Sequence, residues 1–570
     1  KQTKYVAVLS AAALLAMGAS MTSFAAGWEK DEAGAWHYYD KDDDMVTNEW
    51  KKDGGKWFYL DDDGNMATNQ WVDDDYYVGE DGAMLTNQWV KALEDTDDED
   101  DPTDTGEHWY YFGAKGKKFT SSDSNNGKKT IGNKTYFFDG DGKMMTGWHQ
   151  FGNDVYYLGG EDEGWAAKNR WLWLEKSSLT KDDDDETASQ DVLDCSDGED
   201  DKCDDEGWYW FDGSGKLYYK SGLKTINGRK FLFNDHGQML YEWIYNNGYK
   251  KGSNASLDGE HSGASINKML WFQENGDGAS NGSRYKGWQY ISGSEDVKTD
   301  GDTNWYYFKD GEAKYADKVN GLTDDGSDLF RKKEKLSWDG KSGTFCFDQN
   351  GKMKTGLQWI EGHTYFFNDD GYMQTGKVAN VEEANGDSFN YSFETKNSGK
   401  GQGLNKVKDG FLYFNGKRIE ADDDYKIYRI GSKYYVVNNK GKAQKALKNK
   451  TLEIYDPHDG KATTLEKAYL RDEDGKIGKD YYITDGTTPI LTKKEGDSKP
   501  SATGLTVADV ACVPHIQLDD TDNYILGVEV TGRDNKKYSV LDKADTEAVE
   551  SLDWLTVQNM EDAIKEANKN

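Results

Sequence analysis

The residues in this chain that can do chemistry are aromatic rings at fixed offsets. Trp28, Trp50, Trp71 and Trp89 follow one another at 22, 21 and 18 residues. A second Trp, Trp36 or Trp57, comes after each of the first two and begins an aromatic run, as in Trp36-His37-Tyr38-Tyr39 and Trp57-Phe58-Tyr59. Ring faces are negative by their quadrupole, so converging rings can pack together or surround a cation. Other chemistry is thin. The eight His residues are scattered, and no HExxH, GxSxG or Walker pattern occurs. Cys512-Val-Pro-His515 pairs a thiol and an imidazole by sequence alone, and a loop with a buried thiol explains it more simply. No cofactor-binding motif is present, and the sequence predicts a protein that binds rather than catalyses.

These rings sit inside a repeat. Trp36 precedes Met45 by nine residues and Trp57 precedes Met66 by nine. The same offset joins Thr135 to Met144, Lys230 to Met239, Thr344 to Met353 and Thr364 to Met373. Glycine stands two before the Met position at Gly64, Gly82, Gly142, Gly237, Gly351 and Gly371, with Asp43 there in the first copy. A recurring offset of this kind marks a repeat architecture. Within one copy, Lys56–Leu60 reads as a strand, Asp61–Gly64 as the turn and Asn65–Thr68 as the return strand. A lone hairpin is marginal in water, so copies must stack to bury their aromatic faces. The predicted fold is all-β, a solenoid of stacked β-hairpin repeats of about 20 residues with acidic loop insertions.

The composition agrees. The residues AVILMFWYC make up only 35% of the chain while FWY make up 14%, which suits an aromatic β-array better than a compact enzyme. A net charge of −35, from 105 acids and 70 bases, argues against nucleic acid and against anionic lipid as partners. Residues 1–25 read as an export signal, with Lys1 and Lys4, an apolar run, and Ser23-Phe24-Ala25 before the cut. No later stretch is long and apolar enough to span a bilayer. Well-formed repeats occupy 26–90. Degenerate repeats with acidic and Gly/Ser-rich insertions follow over 91–445. Nineteen of the twenty Trp residues lie between 28 and 359 and four of the five Pro residues lie beyond 456, so a boundary is placed near 445. Residues 446–570 form a segment of unreadable role, mainly β and ending in a helix over 543–569. Cys195 and Cys203 share one acidic loop and can form a disulfide in an exported protein.

The pattern at Gly27-Trp28, Trp36-His37-Tyr38-Tyr39 and Gly64-Asn65-Met66-Ala67-Thr68-Asn69 resembles the cell-wall-binding repeat of choline-binding surface proteins in Gram-positive bacteria. The resemblance is close over 26–90 and damaged to about residue 380. It implies stacked hairpins whose rings hold choline head groups of teichoic or lipoteichoic acid, on a secreted protein at the cell wall. It implies a first site from Trp28, Trp36 and Trp50 with Tyr38. A second would use Trp50, Trp57 and Trp71 with Tyr59, and a third Trp71, Tyr77 and Trp89. Met45, Met66 and Met84 would close their floors, and Trp109 and Tyr111 would pair with Trp148. A quaternary ammonium has no N–H to donate, so ring faces are its natural partners.

Departures open alternatives. Asp75, Thr135, Lys230, Thr344 and Thr364 stand where the second Trp would be. Copies such as NKTYFFDGDGKMMTGW are more similar to the carbohydrate-binding repeats of clostridial toxins and glucan-binding proteins. A cell-wall glycan is therefore the alternative partner, and a structural array without a small ligand is a third reading. The runs Asp97–Asp101 and Asp182–Glu186 lack spaced calcium ligands and read as solvated loops; no metal site is expected.

Overall fold

The computed structural model describes residues 27–93, 106–123, 125–177, 203–220, 222–245, 265–273, 282–292, 303–322, 328–456, 461–518, 524–531 and 537–541. The export signal, most of both acidic insertions, Cys195 and the expected terminal helix lie outside them. The described chain is an all-β array of hairpins. It divides into two compact units, one of residues 1–225 with 231–240 and one of 226–230 with 241–570.

The first unit is a series of antiparallel hairpins. They pair β1 (Gly27–Lys30) with β2 (Trp36–Tyr39), β3 (Glu49–Asp53) with β4 (Lys56–Leu60), and β5 (Gln70–Val72) with β6 (Tyr76–Val78). Next come β7 (Gln88–Leu93) with β8 (Glu107–Phe112), and β9 (Lys129–Ile131) with β10 (Lys134–Tyr136). Then follow β11 (Trp148–Phe151) with β12 (Asp154–Tyr157), and β13 (Arg170–Glu175) with β14 (Glu206–Phe211). Each leading Trp therefore stands on the first strand and the aromatic run on the second.

This corrects the position of the hairpin. Trp50 pairs with Tyr59, and the strands reverse at Gly54-Gly55, both at positive φ. Two consecutive left-handed residues match the right-handed strand twist, so this pair closes the hairpin. Asp61–Gly64 is a turn as well, but it leads to a single bridge between Leu60 and Met66 and not to a return strand. There Asp61 accepts the Asn65 N–H on its carboxylate at 2.7 Å. Asp139 and Asp212 hold the equivalent turns through Lys143 and Lys216. The repeat's acids thus act as local backbone acceptors.

Successive hairpins are tied by backbone. The Met66 N–H donates to the Trp36 carbonyl at 2.7 Å, and the Met84 N–H to the Trp57 carbonyl at 2.8 Å. Lys118 reaches Asp75, Met144 reaches Trp109, Ala166 reaches Thr135 and Leu217 reaches Val155 in the same way. The accepting position works through its carbonyl, so its side chain can change from Trp to Asp, Thr or Val without losing the tie. Fully buried side chains, among them Leu60, Val78, Phe112, Phe138, Val155, Leu158 and Phe211, fill the interior.

The second unit begins with similar hairpins, among them Lys332–Trp338 with Lys341–Phe347 and Gly356–Ile360 with His363–Phe367. It ends in broader sheets with an aliphatic core of Ile427, Val436, Leu452, Leu470, Ile490 and Val507. The expected boundary near 445 falls inside one six-stranded sheet. Strand Tyr425–Ile430 runs parallel to Lys448–Asp456, with Tyr425 opposite Leu452. Cys203 is disulfide-bonded, while Cys346 and Cys512 are buried thiols outside any disulfide. Burial pushes the Cys346 thiol up to about 12, so it is inert at neutral pH.

Candidate functional site

A leading Trp occupies the slot between its own hairpin and the next. Trp28 meets Tyr38 across its hairpin and Phe58 of the next, both at 5.2 Å between ring centroids. Trp50 meets Tyr59 at 5.3 Å and Tyr76 at 5.5 Å. Trp71 meets Tyr77 at 5.4 Å and Tyr110 at 4.7 Å. Trp89 meets Tyr111 at 5.2 Å and Tyr136 at 4.8 Å. Trp148 meets Tyr157 at 5.2 Å and Tyr209 at 4.8 Å. Most of these contacts are edge-to-face or tilted, the arrangements the ring quadrupole favours.

The structure therefore brings together Trp28 with Tyr38, Trp50 with Tyr59, Trp71 with Tyr77 and Trp89 with Tyr111. It does not bring the Trp residues of the three expected sites into mutual ring contact. Among the described residues no such contact joins Trp28, Trp36 and Trp50, or Trp50, Trp57 and Trp71, or Trp109 and Trp148. Trp109 approaches Trp89 at 6.4 Å instead, and its Nε1 donates to Asp162 at 3.0 Å. The reason is register. The leading Trp side chain crosses to the next hairpin's aromatic run and not to the next leading Trp.

The methionines differ from expectation too. A Cβ added to Gly64 would stand 2.9 Å from the Met45 side chain. One on Gly82 would stand 2.6 Å from Met66, and one on Gly116 would stand 2.4 Å from Met84. Each Met lies on the glycine of the following turn, and that glycine is both left-handed and stripped of side chain for it. The Gly-x-Met signature is a packing device between copies.

Cations of the chain itself lie on the ring faces. Lys30 Nζ stands 5.5 Å from the Trp36 ring centre, and Lys52 Nζ 5.6 Å from that of Trp57. Both are cross-strand pairs. Lys51 Nζ approaches the ring of Tyr38 on the preceding hairpin at 5.8 Å, and Lys118 Nζ that of Trp71 at 5.3 Å. At the fifth hairpin Lys128 takes the leading position one rung beyond the Lys129–Tyr136 pair. Its ammonium is 5.8 Å from Phe137 and 5.5 Å from Tyr156. It occupies the slot that an indole fills elsewhere.

Acids add to the field. Burial, then Asp73, Asp61 and Asp62, hold the Tyr59 hydroxyl above its ordinary pKa. Burial, then Glu163 and Glu175, do the same for Tyr157. These phenols stay neutral, in a negative field that favours a nearby cation. Trp57 is 39% exposed. A cleft of about 640 Å³ lies beside Trp148, lined by Tyr157, Trp173, Glu175 and Glu206 among others. Inside it Trp148 Nε1 donates to the Glu175 carbonyl at 3.2 Å. His149 Nε2 donates to the Thr146 carbonyl at 2.8 Å, and burial holds its pKa below the usual imidazole range.

Sequence reasoning missed the lysines because their ring contacts come from register across two strands or two hairpins. It missed Trp173 and Trp208 for want of a register. The matching W-x-W runs at Trp171–Trp173 and Trp208–Trp210 were the available signal, since they face each other across one hairpin. Among the described residues no group of His, Cys, Asp or Glu is arranged to hold a metal ion. None of their helices is long and apolar enough to cross a membrane.

The fold and these slots define a β-hairpin repeat protein with aromatic inter-repeat contacts. Residues 44–83 and 65–93 match one model of the choline-binding repeat, and 354–392 match another. Residues 103–118, 129–144 and 202–217 match a putative cell wall binding repeat. The chain carries repeats of the choline-binding and cell-wall-binding repeat families. Glucosyltransferase-S of Streptococcus mutans is 26% identical over 331 residues, 56% of this chain and 18% of that protein. The matched region is thus a small part of that relative. The modular autolysin LytC of Streptococcus pneumoniae is similar in structure, with 18% identity, coverage of 63% of this chain and 55% of that one, and a TM-score of 0.30. Choline binding protein F of the same organism covers 67% of this chain and 100% of its own at 21% identity and a TM-score of 0.26.

Proposed function

We propose that the chain is a secreted surface protein that holds choline groups on teichoic or lipoteichoic acid, and that it is a binder without catalytic activity of its own. The observation that carries this reading is the recurrence of ammonium groups on its ring faces, above all Lys128 between Phe137 and Tyr156. A slot that accepts an alkylammonium in one hairpin has the right chemistry for a methylated ammonium in others. The expected binding residues remain Trp28, Trp36, Tyr38, Trp50, Trp57, Tyr59, Trp71, Tyr77, Trp89, Trp109, Tyr111 and Trp148. They act through slots between neighbouring hairpins. Each ring offers about 0.5–2 kcal/mol, so a site of two or three rings is roughly millimolar or weaker. Retention on a wall polymer then comes from several sites engaged together.

The test is chromatography of the full chain on a tertiary-amine resin. Retention with release by free choline supports the reading. Flow-through of folded protein contradicts it. Glycan binding is a second reading, favoured by the copies with Thr135 and Thr364 at the second-Trp position and by the glucosyltransferase relative. An array on which wall glycans bind and choline does not would select it.

A further inference from the structure

The hairpin of β13 and β14 departs from its neighbours in one respect. On one face the register stacks three cross-strand pairs, Trp171 with Trp210, Trp173 with Trp208, and Glu175 with Glu206. The innermost pair packs against the next copy, with Trp171 4.8 Å from Phe231. The middle pair is edge-to-face at 5.6 Å, and Trp173 is 38% exposed. The outer pair is two exposed carboxylates directly opposite each other. Like charges in that relation oppose strand pairing.

The first two hairpins of the series place a lysine at the position of Trp173, and the adjacent hairpin has Gln150 there, opposite Val155. Lys30 and Lys52 are cross-strand from Trp36 and Trp57 as Trp173 is from Trp208. Here the built-in ammonium is replaced by a further indole, with two carboxylates beyond it. Trp173 Nε1 donates to Glu206 at 2.9 Å, which fixes the ring beside the acid. Lys176, which also lines the cleft, is paired with Asp205 at 3.1 Å. The cleft of about 640 Å³ opens at the same residues, lined by Trp173, Glu175 and Glu206 with Trp148 and Tyr157.

We propose that this cleft binds a small protonated primary amine. Its rings take the ammonium face and the Glu175 and Glu206 carboxylates accept its N–H donors. A quaternary ammonium has no N–H to offer, and choline reaches those acceptors only through its hydroxyl, so the site prefers a primary amine to choline. Binding also relieves the repulsion between the opposed carboxylates. The ligand class differs from that of the choline reading and the sites share only Trp148, so the sites of Trp28 and Trp50 can hold or fail independently.

The test uses the full chain labelled with 5-fluorotryptophan, with the Trp173 resonance assigned by Trp173→Phe. Ethanolamine, choline and ethylene glycol are titrated separately. Ethanolamine should shift the Trp173 resonance saturably, choline more weakly, and ethylene glycol not at all. In Glu175→Gln and Glu206→Gln the ethanolamine affinity should fall about two- to fivefold each, the scale of an exposed ion pair. Both changes keep an acceptor for Trp173, and unshifted resonances elsewhere report an intact fold. A Trp173 signal that ignores ethanolamine overturns the proposal. So does one that follows choline equally well and is indifferent to both Gln variants. Choline shifts at Trp28 or Trp50, in either result, report on the choline reading alone.

Discussion

Two adjacent hairpins, one led by Lys128 and one by Trp148, share a register and differ in what fills the slot ahead of them. Trp148 places an indole 4.8 Å from Tyr209, while Lys128 places an ammonium 5.5 Å from Tyr156. The backbone ties are the same on both sides, from Ala166 to Thr135 and from Leu217 to Val155. The ladder of hairpins is therefore set by backbone bonds and by the fully buried position, here Phe138 and Leu158. The slot between copies is a separate element. It can be filled by hydrophobic area or by charge on ring faces, and that freedom makes it available to a ligand.

The largest test of this contrast is truncation of the two leaders. Trp148→Ala should destabilise the first unit by about 3 kcal/mol, the cost of losing a packed ring. Lys128→Ala should cost about 1 kcal/mol or less, the scale of an exposed cation–π contact. Urea denaturation of each variant checks this, and equal losses would dissolve the distinction between slot and ladder. Next in size is Gly82→Ala, at φ +71 with its new Cβ 2.6 Å from Met66. It should cost about 1–3 kcal/mol through strain and overpacking. Gly152→Ala, at φ +59 with nothing within 4 Å, should cost less, about 1 kcal/mol. If the two match, Met-on-Gly packing does not space the copies.

A smaller effect separates the hairpins by pH. The residue after the leader is His149 in one and Lys129 in the other. Burial lowers the folded pKa of His149 below its ordinary 6.5. The unfolded chain then takes up the proton first, so stability falls as pH drops below about 6.5 and is full above it. Hydrogen exchange at pH 7.5 and 5.5 should show the Trp148 hairpin loosening more than the Lys128 hairpin. His149→Gln should remove that difference. Smallest is the effect of Lys128→Ala on ligand: clearing the ammonium should add a weak choline response at Phe137 and Tyr156. No added response would mean that a lysine is needed there for structure alone.

The copies themselves were legible in the sequence, because Trp spacing and the Gly-x-Met offset recur with the fold's own period. The hairpin turn was misplaced. Asp61–Gly64 has true turn chemistry with three acids, and Gly54-Gly55, the residues that reverse the strands, have only Asp53 beside them. Met45, Met66 and Met84 were assigned to a ligand floor because their partner glycines lie a whole copy away. Trp28, Trp36 and Trp50 were expected to converge because spacing gives proximity along the chain but not the side of the strand. The boundary near 445 followed a fall in Trp content, which marks a change from aromatic to aliphatic core and not a break in the sheet joining Tyr425 to Leu452.

The central claim is that slots between hairpins accept an ammonium from outside. Its most direct test is choline titration of the 5-fluorotryptophan-labelled full chain, following Trp28, Trp50 and Trp71. The account predicts saturable shifts at these resonances in the millimolar range, weakened by Tyr38→Leu or Tyr59→Leu. Resonances that stay fixed in a folded protein up to high choline would contradict it.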